Sequence, residues 1–179
     1  MKLTDERTGK ALGRADTTRS LSKLLEKHMD PNNDPRIYWA KEVTFDYGTS
    51  AQIRADYMQF KPVNNSVSGI ERGSCYVYEI KSSVEDFRSK NGHNMIGDFN
   101  YYVMPADVYE KVQMEIPYKV GVLCPEHFEG PFYEWTTLVT KKNAKRSDRT
   151  RPISEMLLMM WRSSRREIVK EKRRENVDA

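Results

Sequence analysis

The apolar positions change rhythm several times along the chain, and each change marks an element. In DTTRSLSKLLEKHMD (16–30), Leu21, Leu24, Leu25 and Met29 recur at helical spacing, Asp16 or Thr17 can cap the start, and Pro31 ends the run. The turn-rich DPNNDPR leads into IYWAKEVTFDYG, whose aromatic and β-branched residues predict a first strand, with a hairpin turn at Gly48. AQIRADYMQF (51–60) predicts a second strand, KPVNNSVSGIERGS a loop, and CYVYEIK (75–81) a third strand. Ser82 with Glu85, and Ser83 with Asp86, have capping-box spacing, so a helix starts at once and runs to about Lys90, interrupted near Asn91–Gly92. FNYYVMP (99–105) predicts a strand, ADVYEKVQ a short helix, YKVGVLCP (118–125) another strand, and FYEWTTLVTKK (132–142) a further strand or hairpin arm. NAKRSDRTRP breaks the pattern. From Pro152 a long helix follows, with Ile153, Leu157, Met160 or Trp161, Ser164 and Ile168 at helical spacing.

Strand, helix, strand, helix, strand predicts an α/β fold with a mixed sheet and right-handed crossovers. Residues 1–15 read as a polar arm, 16–140 as the folded domain, and 141–179 as a basic linker and C-terminal helix packed on it. The Met and Leu cluster on that helix serves either packing against the sheet or a homodimer contact.

Length and composition narrow the class. A chain of 179 residues with 38% hydrophobic content suits one domain with a core. No run approaches the roughly 18 apolar residues of a membrane span, and the N-terminus lacks an apolar signal region, so a cytoplasmic protein is expected. Cys75 and Cys124 sit in apolar runs without CxxC spacing and read as reduced and structural, a disulfide being the alternative. The net charge of +4 is unevenly placed: residues 141–175 carry 13 Lys/Arg against 5 Asp/Glu, the remainder 17 against 21. Arg162, Arg165, Arg166, Lys172 and Arg173 are therefore candidates for phosphate contacts on a nucleic acid, and otherwise form a solvated helix face.

The candidate chemistry lies on the second and third strands. Glu79 and Lys81, two residues apart, point to the same face of a strand. Asp56, set among apolar neighbours on the adjacent strand, needs a partner. In one reading Asp56 and Glu79 hold Mg²⁺ or Mn²⁺ with the Ile80 carbonyl, while Lys81 orients the attacking water. In the other, Glu79 and Lys81 are a surface pair and Asp56 pairs with Arg54. Glu42, on the first strand, is either a third acidic contributor or an edge carboxylate, and Glu26 and His28 face solvent on the first helix.

The order αβββαβ with Asp56 followed by Glu79-Ile80-Lys81 resembles the PD-(D/E)XK nuclease superfamily, whose restriction-endonuclease-like core carries proline where this chain has Ala55. RAD (54–56), YEIKSSVEDF (78–87), DFNYYVMPAD (98–107) and YKVGVLCP (118–125) resemble more closely the MmcB-type proteins associated with DNA repair in bacteria and phages. The resemblance covers roughly residues 36–125. It implies a metal-dependent nuclease, with Asp56 and Glu79 as ligands of Mg²⁺ or Mn²⁺ and Lys81 as the catalytic lysine. Glu42 or Glu26 would be the additional acid that many members supply, and Ser82 and Ser83 would shape a helix N-terminus facing the phosphate. DNA is the expected substrate, with RNA open as well. The alternative is a nuclease-fold module that binds nucleic acid or a protein without cutting.

Overall fold

Leu21, Leu25 and Met29 fall on one side of α1 (Arg14–Met29), and that side is fully withdrawn from water against a sheet. The computed structural model describes residues 12–129 and 134–175, so most of the predicted polar arm lies outside the described residues. Helix α1 begins earlier than the capping pattern predicts: Gly13 is the N-cap, and Arg14 and Ala15, assigned to the arm by pattern, are already helical.

The sheet has six strands in sequence order: β1 (Tyr38–Phe45), β2 (Ile53–Lys61), β3 (Ser74–Ile80), β4 (Phe99–Val103), β5 (Gly121–Glu129) and β6 (Glu134–Lys142). The pairs β1–β2, β2–β3 and β5–β6 are antiparallel, while β3–β4 and β4–β5 are parallel. The parallel pairs need crossovers, which α3 (Val84–Arg88) and α4 (Ala106–Val112) supply. The stretch 61–74, expected as loop, contains one short helix, α2 (Val67–Glu71), whose start is capped by the Ser66 hydroxyl accepting the Gly69 N–H at 3.0 Å.

The pleat sorts the core into two faces. Tyr57, Tyr78, Ile80, Val103, Leu123 and Leu138 meet α1 on one side. On the other, α5 (Ile153–Glu175) lays Met156 and Met160 on Val43, Phe45, Met58 and Val77, while Phe87, Tyr102, Met104 and Val108 form the adjoining core around α3 and α4. These two α5 methionines are thus packing residues. Cys75 and Cys124 are free and buried, and burial pushes both thiols up to about 12.

Two departures from regularity bear on the site. Glu42 has φ 56°, uncommon for a residue with a side chain. Around it the inward positions step by three instead of two: Ala40 and Val43 on β1, Met58 and Ala55 on β2, each pair in register and in the α5 core. The Ser163 hydroxyl (3.1 Å) and the Arg166 guanidinium (2.5 Å) both donate to the Glu42 carbonyl, tying α5 to this point.

The segment before α5 is strapped to the domain. Main-chain N–H groups of Lys145, Ser147 and Thr150 donate to the carbonyls of Lys119, Asp98 and Ile96. Its cations are engaged as well: Arg146 and Arg149 with the buried Asp98, Arg151 with Asp46 and Glu155, while Lys141 at the end of β6 pairs with Glu126. Much of the positive charge read from the sequence therefore holds the linker in place. Among the described residues no helix is long and apolar enough to cross a membrane.

Candidate functional site

Strands β2 and β3 pair from Lys61↔Ser74 to Tyr57↔Tyr78 and then part. At the fork the Asp56 carboxylate takes over the missing rung, accepting the Ile80 N–H at 2.9 Å through Oδ2. Beyond β3 the Lys81 N–H still donates to the Val103 carbonyl at 2.9 Å, so the chain stays anchored on the β4 side while the β2 side opens. The result is a cleft of about 480 Å³ walled by Asp56, Arg54, Ile80 and Lys81 on one side and by Lys90, Asn91, Gly92 and Asn94 of the turn after α3 on the other.

Glu79 and Lys81 lie on one face, as their spacing predicts, and both are buried. They meet beneath Gly92, where a Cβ would lie 3.0 Å from Glu79 Oε2 and 3.0 Å from Lys81 Nζ. The turn can approach this closely because Gly92 has no side chain and adopts φ 66°. Lys81 Nζ donates to the main-chain carbonyls of Asn91 (2.5 Å) and Asp86 (3.3 Å). Neither Glu79 oxygen has a hydrogen-bond partner among the described residues; the Asn94 N–H groups lower its pKa without reaching hydrogen-bonding geometry.

The electrostatics follow from burial. Desolvation, followed by the charge of Asp56, pushes Glu79 up to about 8, so this carboxyl holds a proton at neutral pH. Asp56 is also raised by burial, in part offset by the Ile80 N–H. Burial lowers Lys81, opposed by the charges of Asp86, Glu79 and Asp56. Two desolvated carboxyls beside one desolvated amine form a site short of positive charge.

The other expected residues fall in different places. Glu42 falls between the Lys41↔Tyr57 and Val43↔Ala55 pairs of β1 and β2, and its charge raises Asp56, but its carboxylate is paired with Arg54 at 2.9 Å. Glu26 accepts the Tyr57 hydroxyl at 2.7 Å and lies 3.9 Å from Lys41; it does not wall the cleft. The Ser83 hydroxyl caps α3 by accepting the Asp86 N–H, and Asp86 answers by accepting the N–H and hydroxyl of Ser82. Both serines are thus engaged in the cap of a helix only five residues long. Arg162, Arg165, Arg166, Lys172 and Arg173 are exposed on α5, outside the cleft.

Pattern reading missed Arg54, Asp86, Gly92 and Asn94 as parts of this cleft. The Asn91-Gly92 dipeptide is a turn signal, but only the fold brings that turn over β3. Among the described residues no three His, Cys, Asp or Glu side chains are grouped to hold one metal ion; Asp56 walls the cleft, and Glu79 lies fully buried.

No family model matches the chain, and no curated protein matches its sequence. A solved structure of a protein of unknown function from Silicibacter pomeroyi is similar in fold, with a TM-score of 0.52 at 16% identity over 90% of this chain and 92% of the other. The likeness extends over nearly the whole of both chains and supports an α/β fold with a six-stranded mixed sheet and a C-terminal helix.

Proposed function

We propose that the cleft between β2 and β3 is the active site of a metal-dependent nuclease with a restriction-endonuclease-like core, acting on DNA phosphodiesters. The observation that carries this reading is Glu79: a fully buried carboxyl with two unpartnered oxygens, next to a second carboxyl raised by burial. Carboxylate and carbonyl oxygens are the donors that Mg²⁺ and Mn²⁺ prefer, so Asp56, Glu79 and the Ile80 carbonyl fit such an ion. When bound, the ion supplies Lewis acidity and lowers the pKa of a coordinated water.

The chain's own groups then have distinct tasks. Glu79 would release its proton to solvent in order to serve, with Asp56, as a carboxylate ligand. Asp56 is held at the fork by the Ile80 N–H, so its orientation is fixed before any substrate arrives. Lys81, held by the Asn91 and Asp86 carbonyls, would orient the attacking water and counter the negative charge that develops on the phosphoryl oxygens. Arg54 on the cleft wall offers a guanidinium to the phosphate.

One feature favours a module that binds without cutting: the Gly92 turn covers Glu79, and two Lys81 hydrogen bonds go to main-chain carbonyls. Melting curves in Mn²⁺ and Mg²⁺, together with cleavage assays on linear, nicked, flapped and branched DNA, distinguish the two. Saturating Mn²⁺ should raise the melting temperature by about 5 °C or more, and Asp56→Ala should abolish the rise. Lys81→Met should keep the rise and lose cleavage. A wild-type protein whose melting temperature ignores both ions, and which cleaves none of these DNAs, defeats the nuclease assignment.

A further inference from the structure

Helix α5 buries one side on the sheet and turns another to solvent in an unusual composition. Trp161, Arg165, Val169 and Arg173 follow one another at four-residue spacing, and Leu158, Arg162, Arg166 and Lys170 form the adjacent row. Trp161 is 66% exposed. Arg162, Arg165 and Arg173 have no ion-pair partner among the described residues, in contrast to Arg146, Arg149 and Arg151 of the preceding strap. On its far flank Trp161 also borders an apolar groove of about 590 Å³ walled by the aromatic rings of Tyr38, Trp39 and Phe60.

We propose that this outer face of α5 is a binding track for single-stranded nucleic acid, with bases stacking on Trp161 and phosphates paired to Arg162, Arg165 and Arg173. Charge complementarity calls for a polyanion, and the spacing of the apolar groups selects among polyanions. A membrane-surface helix gathers its apolar residues into one continuous face for insertion. Here that face is already occupied, with Met156 and Met160 in the core, and the exposed Leu158–Trp161 pair is set apart from Val169 by Arg162, Arg165 and Arg166. An exposed indole between guanidinium groups instead matches successive bases and phosphates of an unpaired strand, whose base faces a duplex would hide. The track also connects to the cleft: Arg166 donates to the Glu42 carbonyl, the Glu42 carboxylate holds Arg54, and Arg54 walls the cleft beside Asp56. The inference thus rests on the nuclease reading for its place in a reaction, and it names the substrate as single-stranded or locally unpaired.

The test is anisotropy of a labelled oligothymidylate and of a duplex of equal length with the full chain in EDTA, where cleft chemistry is silent. The wild type should bind the single strand more tightly than the duplex. Trp161→Ala should weaken single-strand binding by about tenfold. Arg162→Ala/Arg165→Ala/Arg173→Ala should reduce the slope of log affinity against log salt by about 2, from roughly 0.7 per phosphate contact. Matched melting curves for variants and wild type establish that folding is intact, as expected at exposed positions. Equal affinity for duplex and single strand, a triple variant with wild-type affinity and slope, or binding to phosphatidylserine vesicles without binding to oligothymidylate would each overturn the proposal. Intact single-strand binding combined with no metal-dependent cleavage would count against the nuclease reading alone.

Discussion

A carboxylic acid that keeps its proton at neutral pH makes the whole protein sensitive to pH. Glu79 is pushed up to about 8 from the usual carboxylate range near 4.5, so the folded state holds a proton that the unfolded chain releases. Its contribution to stability is fully present below about 4.5 and is lost as pH rises through about 8. In EDTA, melting temperature should fall across that window, whereas Glu79→Gln should flatten the profile and melt higher than wild type at the alkaline end. A wild-type profile unaffected by the substitution would show that Glu79 ionises normally. The shared face of Glu79 and Lys81 is legible in the sequence because a strand's period of two is a local property. The bond from Ile80 N–H to Asp56 is not legible, since it depends on where β2 leaves β3, and that is set by the register of residues far apart in the chain.

At the level of elements, the turn after α3 is the part that closes the cleft. Gly92 combines positive φ with two polar tips lying 3.0 Å from the position of a missing Cβ. Gly92→Ala should therefore destabilise the protein by about 1 kcal/mol or more, read by denaturant unfolding. Asn91→Gly, which leaves the main-chain carbonyl available to Lys81, should cost less. The strands and long helices were readable from periodicity, as was the start of α3, although the Ser83–Asp86 box is used and Ser82 with Glu85 is not. The strap before α5 does break the periodic pattern, but its order has no local signal, because it comes from Asp98, Asp46 and main-chain carbonyls supplied by distant segments. Likewise the step at Glu42 has no local signal: its positive φ accompanies Ser163 and Arg166 of α5, more than a hundred residues away.

Across the molecule, the C-terminal helix belongs to the core. Met156 is fully buried against β1 and β2, and Met156→Ala should cost about 2–5 kcal/mol in equilibrium unfolding, where a surface change such as Leu158→Ala should be nearly silent. The opposite edge of the sheet behaves differently. Strand β4 pairs with β5 only from Tyr101↔Gly121 to Val103↔Leu123, while β5 and β6 remain paired out to Glu129↔Glu134. Leu138 still packs on α1, while among the described strands the rungs from His127↔Thr136 onward are paired only between β5 and β6, past the last β4–β5 pair. A pairing of two strands has little stability of its own. Amide protons of Phe128 and Thr136 should exchange with deuterium through local opening, orders of magnitude faster than those of Leu123 and Val139, and without denaturant dependence. The β5–β6 pair should then show two kinetic regimes, inner rungs that open only with global unfolding and outer rungs that open while the rest of the protein stays folded.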